Sequence, residues 1–549
     1  MKIFSLKFLI LSSATLLVFY FGLFPLLLLI WKSLFVADSF TLSRYYTLLS
    51  DRGNLEALKN TLILAVSVVL FASLIGITLG WLIGRSDLKG ANKWRSLFSL
   101  PYIIPPYIGA IAWIELMNPK MGYINQILGA KVFNIYSMIG IIWVEGLFLY
   151  SFIFLATVTA LEQLDASYEE AARMSGASSW RVFWDITLPL IKPSIFAGAI
   201  LTFVAAAASF GVPAMIGMPN RIHVLTTKIY SLTQSYEGGI ESATTLSVVL
   251  MAIALLFLLF SDFLQKRKRV TMVGGKSSRI AKVELGKWRI PIFISLVLLS
   301  ILIIVLPFST ILLTSLQKTY GNGFVLENLS FSRYFHVLFG MNKVKTAIFN
   351  SIQLAVLTAT CTVMLGTLLA YIKVRTKIYG RNLIDTFASL PYATPGVVVA
   401  LGLIIAFSGG WGLNLYNTLI ILFVAYSVKY LSFALRTSNA ALQQIDVSLE
   451  EAGFMSGASW LQVLNTIIIP LLKPAIVAGW FLIFMPVLSE LTMSILLFGP
   501  KTQVIGTVLY NLQSYDDPQA AAVLAMLIVV LVVIANITVK WLTKGKYGF

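Results

Sequence analysis

The chain has 549 residues, 58% of them hydrophobic and only 12% charged, with a mean hydropathy of +0.87. That composition excludes a soluble multidomain protein, because apolar runs of about 20 residues, long enough to cross a bilayer, recur along it. The formal net charge of +18 would suit a nucleic-acid binder. The Lys and Arg residues instead cluster between apolar runs, the positive-inside pattern, so a lipid membrane is the implied partner and nucleic acid is not. Cys361, the single cysteine, leaves no internal disulfide framework and is expected to pack in its apolar run. His223 and His336 lie far apart in sequence, so no metal site is expected.

Taken in order, a first span is expected over about 8–31, behind Lys2 and Lys7, which favour a cytoplasmic start. An outer polar segment, 37–59, follows. The second span, about 61–84, carries Gly76, Gly80 and Gly84 at four-residue spacing, a stripe that lets another helix approach closely. Arg85, Lys89, Lys93 and Arg95 then form an inner loop. The third span starts near Ser99 with Pro101, Pro105 and Pro106, which bend the helix or delay its start. The fourth span, about 137–160, holds Glu145 near its middle, and the fifth is expected over about 194–216. A sixth ends near Phe263. The basic stretch 265–289 reads as a cytoplasmic linker that faces solvent and lipid headgroups.

The second half repeats the first. Asn350, Gly366, Arg375 and Gly380 correspond to Asn60, Gly76, Arg85 and Gly90, and Leu390-Pro391-Tyr392 repeats Leu100-Pro101-Tyr102. Spans are expected near 291–316, 348–374, 383–407, 417–442, 475–498 and 520–542, and Lys540, Lys544 and Lys546 place the C-terminus inside. The expected fold is an all-α polytopic membrane protein of about 12 transmembrane helices. Its halves, 1–264 and 290–549, share one topology and form a parallel repeat about a pseudo-two-fold axis along the membrane normal.

The strongest internal repeat is polar. Leu161 to Gly198 and Leu442 to Gly479 align without a gap at roughly half identity. The first contains Glu169-Glu170-Ala171-Ala172-Arg173-Met174-Ser175-Gly176, the second Glu450-Glu451-Ala452-Gly453-Phe454-Met455-Ser456-Gly457. Ser167 with Glu170, and Ser448 with Glu451, have capping-box spacing. Gly176 and Gly457 sit where a short helix needs a left-handed stop. Ser178 or Ser179, and Ser459, are placed to start a second short helix, which Pro189 to Pro193 and Pro470 to Pro474 are expected to end. Two matching copies in equivalent places favour an interaction element over a plain connector.

The pattern Glu170-Ala171-Ala172, Gly176, Ile186, Leu188 and Pro189 resembles the coupling-loop signature of type I ABC importer permeases. The second copy departs from it at Gly453, for Ala, and Ile469, for Leu. The resemblance covers nearly the whole chain as two fused permease halves, with coupling loops over about 161–193 and 442–474. It implies that each loop docks into a separate cytoplasmic ATPase subunit, two copies in all, and that an extracytoplasmic solute-binding protein selects the substrate. It implies alternating access driven by ATP closing the ATPase dimer, in the inner membrane, with both termini cytoplasmic. Glu170, Ala171, Ala172, Gly176, Glu451, Ala452, Gly453 and Gly457 are then the ATPase-coupling residues.

No ATP-binding loop is present in the sequence, and the chain is not expected to hydrolyse ATP itself. Gly275-Lys276-Ser277 is a near miss for a phosphate-binding loop, with Val270 where its first Gly belongs. No catalytic residues are expected; ATP and Mg belong to the partner ATPase. Ionisable residues inside spans are costly, so Glu490, Glu145 and Lys429 should face the bundle interior. Glu490 aligns with Ser209. Ser209, Ser489, Glu490 and Thr492 are candidates for lining the translocation path, whereas Glu145 and Lys429 either pair or stabilise the bundle.

For substrate, Ser209-Phe210-Gly211-Val212-Pro213, Val224 to Tyr230, and Glu490 to Pro500 resemble the ferric-iron branch, as does the two-in-one fusion. Related fused permeases carry thiamine or aminoalkylphosphonates, and polyamine and sulfate relatives share the coupling motif. An ATPase-independent secondary transporter accounts for spans and repeat but not for a duplicated coupling motif.

Overall fold

The computed structural model describes residue 9 and residues 12–36, 39–235, 238–267, 282–320, 325–410 and 413–543. Most of the basic linker expected over 265–289, together with Lys2, Lys7, Lys544 and Lys546, lies outside them. The described residues are almost all helical; the one named strand pair is the short hairpin Phe35–Val36 with Ser39–Phe40. Among the described residues, ten helices are long and apolar enough to cross a membrane, or up to 12 if each of two bent pairs is one span. The chain is an all-α polytopic membrane protein.

Both bends fall on the expected proline clusters. Ala91–Ile103 meets Pro106–Met117 at 94°, and Leu383–Ala393 meets Gly396–Phe407 at 108°. Pro105 and Pro395, at the breaks, are extended, and the residue before a proline is biased away from helix. The span expected over 383–407 is thus made of two helical pieces.

Other prolines do not break their helices. Five-residue π turns, Phe19–Leu23, Phe183–Thr187, Ile301–Val305 and Leu464–Ile468, each end two residues before Pro25, Pro189, Pro307 and Pro470. A proline lacks the amide hydrogen and its ring crowds the carbonyl four residues back. A π turn shifts the pairing to five residues, and the residue before each proline donates to the first carbonyl of the π turn. Trp180–Ala207 and Trp460–Leu488 thus run unbroken, with Pro193 and Pro474 inside. The expectation that these prolines end the second short helix is corrected: that helix continues into the fifth span. The fifth span of the first half also stops earlier than expected, at Ala207, and its chain turns at Ser209.

The compact units are not contiguous halves of sequence. One draws on Met1–Leu48, Ile229–Met251 and Tyr334–Gly548, the other on Leu49–Lys228 and Ala252–Arg333. In the former, the Phe24–Leu34 helix packs on Gly396–Phe407, where a Cβ on Gly402 would come within 3.1 Å of the Pro25 carbonyl oxygen. In the latter, Leu306–Leu316 packs on Pro106–Met117, and the Tyr123 hydroxyl lies 3.3 Å from Thr314 Oγ1. Each unit therefore combines the second to fifth helices of one half with the first helix of the other.

The Gly stripe works as expected inside the second unit. A Cβ on Gly76 or Gly80 would come within 2.9 Å of the Tyr150 carbonyl oxygen or 2.7 Å of Thr157 Cβ. Arg52–Arg85 and Met138–Gln163 consequently pack along their lengths. Cys361, expected to pack, is exposed on the Asn342–Arg375 helix.

Over 282–289, the described end of the linker, Val283 bridges to Ser86, and the Leu285 amide and the Arg289 guanidinium both donate to Asp87. Those donors, the Leu285 amide foremost, hold the Asp87 carboxyl below the usual carboxylate range.

Candidate functional site

The duplicated stretch folds the same way in each unit. Ala166–Met174 and Ser448–Met455 are short helices. Each ends on a left-handed glycine, Gly176 at φ +84° and Gly457 at φ +81°. A Cβ at either would meet nothing within 4 Å, so backbone conformation alone demands glycine there. The second short helices start at Ser179 and Trp460; Ser178 Oγ accepts from the Arg181 amide, and Ser459 makes a reciprocal capping box with Gln462.

The first helices are not capped by the expected Ser–Glu boxes. Asp165 caps the first copy by accepting from the Ser167 amide at 2.9 Å. In the second copy Asp446 accepts from the Ser448 amide at 2.9 Å, a contact that, with the Ser448 hydroxyl, holds its carboxyl below the usual range. The aspartate two residues ahead of each serine reaches the first free amide sooner than the serine does.

This frees the second glutamate and employs the first. Glu170 and Glu451 are exposed, as are Ala171, Ala452, Gly176 and Gly457, while Ala172 and Gly453 are half-buried. Tyr168 and Met174 stand out of the first copy, and Leu449 and Met455 stand out at the same positions of the second. Glu169 and Glu450, by contrast, turn inward. Arg85 Nη2 lies 3.3 Å from Glu169 Oε1, with side chains 1% and 4% exposed. Arg375 Nε donates to Glu450 Oε1 at 2.6 Å, with side chains 9% and 6% exposed. Each arginine ends a 34-residue helix, Arg52–Arg85 or Asn342–Arg375, and also donates to carbonyls below the fourth span: Arg85 to Leu164, Arg375 to Leu442 and Ile445.

The pairs differ in their supports. Thr187 Oγ1, in the π turn, donates to Glu169 at 2.7 Å. Ile468 stands at the matching position of the second copy, where Tyr371 donates to Glu450 at 2.9 Å and Trp460 Nε1 lies 3.3 Å from the Tyr371 hydroxyl. Sequence reasoning selected the adjacent glutamates instead. The available signal was the joint repetition of Arg85 with Arg375 and of Glu169 with Glu450.

A second repeated feature lies at the far end of the same long helices. Asn60 donates to the His223 carbonyl and Asn350 to the Gln503 carbonyl. Thr61 Oγ1 accepts from the Leu225 amide and Ser351 Oγ from the Ile505 amide, both at 2.8 Å. Short helices starting at Leu225 and Ile505 are thereby fixed against the second span of each half.

The candidate path residues are brought together in two separate groups. Glu145 is buried and accepts a hydrogen bond from Ser209 Oγ; among the described residues its other oxygen has no hydrogen-bond partner. Ser209 is in turn held by Thr226, whose hydroxyl donates to its carbonyl at 2.6 Å. In the other unit, Glu490 accepts from the Met493 amide at 2.9 Å, the Ser494 amide at 2.9 Å and Ser494 Oγ at 2.6 Å. Lys429 donates to the Pro391, Tyr392 and Thr394 carbonyls at the 108° bend. Ser489 Oγ donates to the Met485 carbonyl, and Thr492 packs on Gly396. Glu145 thus engages Ser209 within its own unit, and Lys429 the bend within the other.

Residues 76–270 and 362–546 each match the family described as the binding-protein-dependent transport system inner membrane component. The chain belongs to this family. It is the permease of a binding-protein-dependent ABC importer, and a multi-pass membrane protein. Among curated relatives, an Fe(3+)-transport system permease of Haemophilus influenzae is 28% identical over 97% of this permease and 98% of its own length. A ferric transport system permease of Actinobacillus pleuropneumoniae is 26% identical over 96% of this permease and 77% of its own length. Among solved structures, a bacterial ABC transporter involved in alginate import is 22% identical, covering 43% of this permease and 87% of that chain, with a TM-score of 0.38.

Proposed function

We propose that this permease carries ferric iron inward, working with two copies of a cytoplasmic ATPase and an extracytoplasmic iron-binding protein. The observation that carries the substrate is the likeness to ferric permeases along 96–97% of the chain, both fused halves included. Residues 1–264 and 290–549 are read as two permease subunits in one chain, joined by a basic tether on the cytoplasmic side, where both termini also lie. ATP and Mg bind the partner ATPase, which carries out hydrolysis. The duplicated stretch supports this reading. Each copy presents a free glutamate, Glu170 or Glu451, beside an exposed apolar pair, Tyr168 and Met174 or Leu449 and Met455. Apolar side chains ringed by charge are the usual make-up of a protein-binding patch.

Uptake of labelled ferric iron by iron-starved cells tests it. Uptake lost on deleting the gene, restored by the intact chain and not by a Gly176→Asp/Gly457→Asp double variant, is the expected result. Unchanged uptake in cells with no second ferric system overturns the iron assignment and turns the search to aminoalkylphosphonates, thiamine and polyamines. Iron uptake that continues after ATPase depletion but collapses with the ion gradient would indicate a secondary transporter instead.

A further inference from the structure

We propose that Glu169 with Arg85, and Glu450 with Arg375, are clamps that make each coupling helix and the second span of its half move as one body, so that ATPase closure is delivered to the membrane through these pairs. The inference rests on the coupling reading above and deepens it: Glu170 and Glu451 face the ATPase, and the glutamate before each faces the span.

Three observations converge. The pair occurs at matching positions of both copies, and in both it is almost fully buried. A buried charge is costly unless its partner is held in place, and in each copy the partner comes from a different element than the short coupling helix. The arginine is also tied to more than the glutamate. Arg375 donates simultaneously to Glu450 and to the Leu442 and Ile445 carbonyls, so three elements meet on one guanidinium: the end of the second span, the end of the fourth and the coupling helix. Arg85 does the same with Glu169 and Leu164. Its planar, multi-donor head suits that role, whereas a lysine presents a single ammonium.

Beyond the clamp, each connection is continuous. The long second-span helix is uninterrupted, and its other end is pinned by Asn60 and Thr61, or Asn350 and Ser351, to the segment that follows the fifth-span break. A displacement of the coupling helix is thus conveyed along an unbroken 34-residue helix to the neighbourhood of Ser209 or Glu490. In this scheme the four residues are positioning residues: none touches the solute.

Distance measurement between spin labels tests the clamp directly. Leu74 and Ser167, and their repeat equivalents Met364 and Ser448, are exposed on the second span and coupling helix of each half, away from the apolar pairs assigned to the ATPase. Cysteines are placed at one pair at a time, with Cys361 changed to Ser, in the full importer with its ATPase subunits in nanodiscs. The expected result is one narrow distance per pair, the same with and without ATP and vanadate. Glu169→Gln or Glu450→Gln should broaden that distance and make it shift with nucleotide. In proteoliposomes the double Gln variant should lower ferric iron moved per ATP hydrolysed at least tenfold, with ATPase activity retained; Glu169→Asp/Glu450→Asp should recover part of it. A purely structural pair would lower assembly and ATPase activity together and leave that ratio unchanged. A distance that already shifts with nucleotide in the parent chain, or Gln variants with unchanged distance and ratio, overturns the proposal. The parent measurement decides even where a variant fails to assemble. If the parent importer hydrolyses ATP but moves no iron, the substrate assignment falls while the distances still judge the clamp.

Discussion

The two copies of the duplicated stretch share a skeleton and differ in its upholstery. Arginine, inward glutamate, left-handed glycine and π turn before proline recur in both. The supports do not: a threonine hydroxyl steadies Glu169, while a tyrosine backed by a tryptophan steadies Glu450. The membrane junctions after the fifth helices diverge further. In one unit the carboxylate sits on the fourth span, as Glu145, and the serine at the break, as Ser209. In the other the carboxylate sits at the break, as Glu490, and the fourth span carries Tyr426 at the position that aligns with Glu145, bonded to Ser494. Duplication preserved the backbone devices and the ion pair, and let the hydrogen-bond partners drift wherever another polar group could complete them.

The clamps offer the largest test of that comparison. Arg375→Leu strands Glu450 in a buried site and should cost about 3–5 kcal/mol. Arg85→Leu should cost less: each glutamate keeps one hydroxyl donor, Thr187 or Tyr371, but Arg375 lies closer to its glutamate, at 2.6 Å against 3.3 Å, and also supports the Leu442 and Ile445 carbonyls. Thermal unfolding of the detergent-solubilised variants reads the order, and equal losses would show that these differences carry no weight.

The junctions provide an intermediate effect. Glu490 accepts from two amides and a hydroxyl, and Gln in its place turns one acceptor oxygen into a donor facing those same donors. Glu490→Gln should destabilise by about 1–3 kcal/mol. Glu145 has one hydrogen bond to lose nothing from, since Gln keeps the acceptor for Ser209, so Glu145→Gln should cost less. The same unfolding experiment compares them; a larger loss at Glu145 would reassign the structural role.

The smallest effect concerns a departure from the family pattern. Gly453 replaces the usual alanine, and a Cβ there would come within 2.9 Å of Ile467 Cδ1 and 3.0 Å of Val463 Cγ2. Restoring alanine should therefore fail to stabilise the helix by the roughly 1 kcal/mol that Ala gains over Gly. Adding Ile467→Val, which removes the nearer of the two crowding methyls, should bring part of the gain back, as read by the same unfolding midpoint.

Much of this was legible in sequence. Membrane class, the internal repeat, the left-handed glycines, the glycine stripe and the proline bends follow from rules that act within a few residues or along one helix: apolar length, absence of a Cβ, absence of an amide hydrogen. The caps were misread for a local reason, since serine and aspartate two residues apart compete for the same amides and spacing alone does not rank them. The prolines near 189 and 470 were misread because a π turn leaves no sequence mark beyond the proline it accommodates.

What tertiary structure alone decided is which partner each polar group found. Two adjacent glutamates are chemically alike, and only the path of a helix beginning at Arg52 or Asn342 places an arginine beside the first and leaves the second in the open. The same holds for the first helix of each half, which packs with the second to fifth helices of the other. An apolar span is defined by its composition, but apolar surfaces are interchangeable in sequence, so the neighbour it buries against is set by shape and chain path.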